Sequence, residues 1–171
     1  AEQRVEPLLE PRLGGAERVL AEMHALYPTA PIYALLHEPR LTCALLPNAD
    51  VRLSFVRRFP KFLRSREKLL LPILPVVPET FDLRAFDVVV SSASAFAKGV
   101  VTRPSTLHVC YCHSPTRYLW DAHHEVLSDH RLRGLRRAAT VLLLHYLRMW
   151  DAAAAKRVDR FLVNSEATRT R

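Results

Sequence analysis

The sequence predicts an α/β fold, a parallel sheet with helices on both faces, from the order and character of its apolar segments. Short apolar runs near 32–36, 51–56, 86–90, 107–112 and 160–163 read as strands, with helix-period spacings between them. The run Phe86–Val90 is almost continuously apolar, the composition of a strand covered on both faces.

Taken in order, Ala1–Leu13 carries Pro7 and Pro11 and shows no clean period, an atypical segment ahead of a domain spanning 14–171. Gly14 and Gly15 precede Ala16, Val19, Leu20, Met23, Leu26 and Tyr27, spaced as one face of a helix that Pro28 stops. Pro31–Leu36 reads as a strand, and the alternation in Val51–Val56 reads as another. In Arg57–Leu71, basic residues such as Arg57, Arg58, Lys61 and Arg66 interleave with Phe59, Phe62 and Leu63. Pro72, Pro75 and Pro78 then forbid a long regular helix. Phe86–Val90 runs into Ser91-Ser92-Ala93-Ser94, which offers capping chemistry for a helix through about Gly99. Leu107–Cys112 is the next strand and ends at His113-Ser114-Pro115. Leu135, Ala138, Leu142, Tyr146, Trp150 and Ala153 mark the apolar face of a long amphipathic helix. Arg160–Val163 is the last strand, followed by Asn164-Ser165-Glu166.

Composition narrows the function classes. The 171 residues, 49% hydrophobic, suffice for one core. The net charge of +8, from 25 Lys and Arg against 17 Asp and Glu, favours an anionic partner: nucleic acid, lipid headgroups or a phosphorylated substrate. Aromatics are few, and no DNA- or RNA-binding module is apparent, so nucleic acid is the weakest of the three. Cys43, Cys110 and Cys112 are odd in number, and the last two share one strand face, which points to a reducing, cytoplasmic setting. The first residues lack the apolar core of a signal peptide. The greasy stretch Ala138–Leu147 falls short of the ~20 residues that span a bilayer. Cys110, Cys112, His113, His123 and His124 make a poor metal set, because C-x-C within a strand spaces its thiols awkwardly for one tetrahedral ion. No G-x-S-x-G elbow supports serine hydrolase chemistry.

Ligands of open parallel sheets bind beyond the carboxyl ends of the strands. Gly14 and Gly15 stand at a helix start, where bare backbone amides let a phosphate or sugar approach; an ordinary turn is the alternative. His113, at a strand end, is placed to hydrogen-bond a sugar hydroxyl or phosphate oxygen, or else to serve the scaffold. Arg117 carries a planar fork suited to phosphate, with a surface ion pair as its alternative. The basic and apolar residues of Arg57–Leu71 fit either an anionic membrane surface or a solvated helix face.

Several blocks occur together: Gly-Gly-Ala-Glu-Arg-Val-Leu at 14–20, Phe-Asp-Val-Val-Val-Ser-Ser at 86–92, and Ala-Phe-Ala-Lys-Gly-Val at 95–100. They lead to Cys-His-Ser-Pro-Thr-Arg-Tyr-Leu-Trp-Asp at 112–121 and Val-Asn-Ser-Glu at 163–166. In this order they resemble the N-terminal domain of the bacterial retaining glycosyltransferase family four, of GT-B fold, in its mannosyltransferase-like subgroup. The resemblance implies a Rossmann-like domain that receives a glycan or polyprenyl-diphosphate-linked acceptor. A second domain would hold the nucleotide-sugar donor, and neither metal nor other cofactor is implied. It implies that Gly14 and Gly15 line the cleft near the donor phosphates, that His113 faces the donor sugar, and that Arg117 meets an anionic acceptor. Ser165 would lie near the crossover to the donor domain. An acceptor on a polyprenyl carrier implies work at the inner face of the membrane.

Two departures accompany the likeness. Members of the family open with an apolar strand before the double glycine, whereas Ala1–Leu13 holds prolines and charges, a poor fit to a central strand. The sequence ends at Arg171, soon after Val-Asn-Ser-Glu, so the donor domain is expected to be absent and the chain inactive alone. A stand-alone basic membrane- or carbohydrate-binding module is the competing expectation.

Overall fold

Parallel strands organise the chain in the computed structural model, which describes residues 15–36, 46, 48–64, 66–114, 116, 119–121, 127–128 and 133–170. Strands β1 (Ile32–Ala34) and β2 (Val51–Leu53) form one pair. Strands β3 (Val88–Ala93), β4 (Leu107–Cys112) and β5 (Arg160–Val163) form a second sheet in that order. All pairings are parallel, so every strand is reached by a crossover, and helices flank the sheets. The α/β class is therefore as the sequence predicts, compatible with a Rossmann-like fold, although the described strands divide into two small sheets instead of one. The segment 1–13 lies outside the described residues.

Helix α1 (Gly15–Leu26) begins at the predicted glycine and stops two residues before Pro28. Its apolar face is shallower than the spacing suggests: no residue of α1 is fully buried, and Leu26 and Tyr27 are exposed. β2 is shorter than the alternation predicts. Ser54 turns the chain by accepting a hydrogen bond from Val56 N on its Oγ, and a 3₁₀ turn over Phe55–Arg58 replaces the end of the strand. The proline-rich stretch behaves as predicted, yielding only single-turn helices α2 (Lys61–Arg64), α3 (Glu67–Leu70) and α4 (Val76–Glu79).

The serines after Val90 do not cap a helix. Ser91 and Ser92 continue β3, where they register with Cys110 and Tyr111, and only a short 3₁₀ turn over Ala97–Gly99 follows. Backbone pairing to β4 satisfies their polar groups more fully than a helix start would. β3 is also not covered on both faces. Ser91 and Ala93 are buried on one side, whereas Val88 on the other is 56% exposed.

The long helix α5 (Gly134–Ala155) forms where predicted but turns a different face inward. Leu144, Leu147, Asp151 and Ala154 are its buried residues, while Leu135 and Leu142 of the predicted core stripe point outward. Apolar residues occur on every side of the helix among Arg136, Arg137, His145, Arg148 and Asp151, so periodicity alone did not choose the face. Leu144 and Leu147 join Val56, Leu70, Leu74, Val77, Phe96 and Leu119 in the core, which sits between α5 and the segments around the single-turn helices. Among the described residues no helix is long and apolar enough to cross a membrane.

Candidate functional site

The carboxyl ends of β3 and β4 carry a polar cluster. His113 N donates to Ala93 O at 3.0 Å, so the pairing of the two strands persists one residue past β4 and fixes where the imidazole stands. His113 Nε2 lies 2.8 Å from Ser92 Oγ, and its ring tilts against Tyr111 with centroids 5.0 Å apart. Ser92 and Tyr111 are direct register partners, which places all three on one face. That face meets the start of α1: α1 touches β3, and Glu17 in its first turn acts electrostatically on His113. Burial lowers the His113 pKa, against the opposing pull of Glu17. The ring is thus held neutral near pH 7, a state able to accept or donate one hydrogen bond to a sugar hydroxyl or phosphate.

Of the predicted site residues, His113 stands at this edge, and Gly15 opens the helix whose Glu17 acts on it. A Cβ placed on Gly15 would meet nothing within 4 Å, so the position opens onto free space. Ser165 follows β5, the parallel neighbour of β4, and so lies beyond the same edge of the sheet. Its hydroxyl is engaged locally, accepting from Thr168 N at 3.3 Å as the N-cap of the terminal helix α6 (Glu166–Arg169). Gly14 and Arg117 lie outside the described residues, as do Cys43, His123 and His124. Cys110 and Cys112 share the opposite face of β4 from His113, and burial pushes both thiols up, the condition of inert core cysteines. Among the described residues no group of three or more His, Cys, Asp or Glu side chains is arranged to hold a metal ion.

Two buried polar clusters escaped sequence reasoning. In the first, Asp151 of α5 accepts from Lys98 Nζ at 2.6 Å and Thr116 Oγ1 at 2.9 Å on Oδ1, and from Trp120 Nε1 at 3.1 Å on Oδ2. Thr116 and Trp120 both follow β4, so one carboxylate ties two points of the chain beyond that strand to α5. In the second, His108, fully buried in β4, pairs through Nε2 with Ser91 Oγ at 2.9 Å. Its Nδ1 lies 3.3 Å from Arg157 O, and its backbone N donates to Asp159 Oδ2 at 2.8 Å. A legible signal existed: Lys98, His108 and Asp151 are isolated polar residues inside otherwise apolar runs.

An open cavity of about 570 Å³ lies elsewhere, lined by Tyr33, Arg52, Asp82, Arg84, Ala85 and Phe86 at the amino end of β3. Of the described site residues, Gly15, His113 and Ser165 are not among its lining. Carboxyl-edge placement, not cavity size, therefore selects the candidate site.

His108 and His113 both bind protons less readily in the folded chain, burial being the main cause in each. A depressed histidine favours protonation of the unfolded chain, so stability is expected to be level above pH ~6.5 and to fall as pH drops below it. Urea unfolding midpoints on either side of that value check this, and a higher midpoint on the acid side contradicts it.

Comparisons of the chain with family models, curated proteins and solved structures give no match.

Proposed function

We propose that this chain is the acceptor-side domain of a retaining glycosyltransferase that moves a hexose, of mannosyl type, from a nucleotide-sugar to a glycan or polyprenyl-diphosphate-linked acceptor. The observation that carries the reading is the neutral His113, oriented by Ser92 beside the open start of α1 at the carboxyl edge of a parallel sheet. Retaining transfer passes through an oxocarbenium-like state with a departing diphosphate. Backbone amides around the phosphates and a neutral hydrogen-bonder on the sugar are the groups that stabilise it. The motif block around 112–121 supports the same reading, with Arg117 as the proposed acceptor contact and Gly14 completing the backbone approach. An acceptor on a polyprenyl carrier also accounts for the net positive charge and for a place at the cytoplasmic face of the membrane.

The test is sugar transfer by the chain when it is supplied with a donor domain, fused or separately produced. His113→Ala is expected to lower turnover about tenfold or more, roughly 1.4 kcal/mol in the barrier. Gly15→Ala separates site from scaffold, because its Cβ meets open space and leaves folding intact. A drop in turnover with an unchanged melting temperature places that backbone against substrate. Unchanged kinetics in both variants would remove this edge from the reaction.

A second reading, a basic membrane- or carbohydrate-binding module, is favoured by the exposed Phe62 beside Lys61 with Arg57 and Arg58 close in sequence. Ligand binding without transfer in the same assay would select it.

A further inference from the structure

Trp120 stands the wrong way round for a solvent-facing indole. Such side chains ordinarily bury their hydrocarbon rings and keep the polar tip toward water. Here Nε1 points into the protein and donates to Asp151 Oδ2 at 3.1 Å, yet the residue is 50% exposed. What it offers to solvent is therefore hydrocarbon.

The ring is held firmly. Asp151 is itself fixed by Lys98 Nζ at 2.6 Å and Thr116 Oγ1 at 2.9 Å, and Leu119, the preceding residue, is buried in the core. Lys98 and Asp151 both act electrostatically on Cys112, the last residue of β4, so the anchor lies by the carboxyl end of that strand. His113 follows directly, and this is the edge at which parallel sheets take their ligands. Aromatic rings among a few polar groups are the usual lining of such sites.

The chemistry of the ring selects what covers it. A hexopyranose has a face of C–H bonds inside a rim of hydroxyls, so it stacks on bare hydrocarbon while its hydroxyls keep polar partners. A phosphate gains nothing from such a surface. We infer that Trp120, anchored through Asp151, is the platform on which a sugar ring of the glycan acceptor stacks. This role rests on the acceptor-side reading given above but can fail apart from it.

The experiment follows tryptophan emission of the chain on titration with neutral oligosaccharides, mannotriose and, as a second sugar, cellotriose. Only Trp120 and Trp150 emit, and Trp150 packs on Phe96 against the core. A saturable blue shift is expected with at least one sugar. Trp120→Phe and Trp120→Leu both lose the bond to Asp151, but only the first keeps a ring. In saturation-transfer NMR the phenylalanine variant is expected to bind within about threefold of the unaltered chain, and the leucine variant about tenfold or more weaker. With a donor domain supplied, Trp120→Leu is expected to raise the acceptor KM about tenfold and leave kcat and the donor KM unchanged. No emission shift with either sugar, equal losses in the two variants, or a shift given by uridine diphosphate and not by sugar overturns the role. Should the leucine variant fail to fold, the emission of the unaltered chain decides. Sugar binding without transfer removes the transferase reading alone, and transfer with an unchanged acceptor KM in Trp120→Leu removes this role alone.

Discussion

Asp151→Ala is expected to cost about 3–5 kcal/mol of folding stability, the largest effect of any single substitution proposed for this chain. The carboxylate stands within 2.6 Å of Lys98 Nζ, and the two side chains are 10% and 9% exposed. Removing it strands an ammonium where water scarcely reaches and also takes the acceptor from Thr116 and Trp120. The melting temperature should fall by about 10 °C in a domain of this size. The sharper test is a double-mutant cycle with Lys98→Met. Because an uncompensated charge is the main penalty, Asp151→Leu with Lys98→Met is expected to be more stable than Asp151→Ala alone. If the double variant is the less stable, the pair contributes more than mutual neutralisation. The loop after β4 should loosen in Asp151→Ala, read as faster amide exchange over 116–120.

Gly99→Ala is expected to cost about 1–3 kcal/mol, although the substitution adds one methyl group to a short turn. A Cβ at Gly99 would overlap the Trp150 indole and press on Pro78 Cγ at 3.3 Å. Trp150 has little room to yield. It packs on Phe96 with centroids 5.4 Å apart, and its Nε1 lies 3.3 Å from Glu79 Oε1. Glu79 is further held by Arg157, whose Nη2 also donates to Gly99 O at 3.0 Å. The overlap involves the outer six-membered ring of the indole, so Trp150→Phe should recover part of the loss when combined with Gly99→Ala. Additive penalties in urea unfolding would show that the contact does not limit stability. Gly15 is the contrast: equal in composition, it faces open space, and alanine there should leave the midpoint unchanged.

Much of the fold was legible because parallel strands are written locally. β4 and β5 match the apolar runs Leu107–Cys112 and Arg160–Val163, and α1 and α5 begin and end within about two residues of their spacing and proline signals. His113 could be placed at the carboxyl edge of the sheet from order alone, since a parallel strand presents that edge where it ends. The misreadings share one cause. Ser91-Ser92 look like a helix cap until β4 is known to pair with them, and Val88 looks covered until its neighbours are seen to leave one face open.

The linear sequence by itself determined the α/β class, the positions of β4 and β5 and the excess of positive charge, because short-range backbone preference and composition suffice for these. Tertiary structure alone decided which face of α5 turns inward, and that Lys98 meets Asp151 across 53 positions. It also decided that Gly99, unlike Gly15 and Gly134, has no room for a side chain. Those outcomes depend on which elements pack together, because burial free energy is non-directional, whereas a buried carboxylate must meet donors that lie far away in sequence.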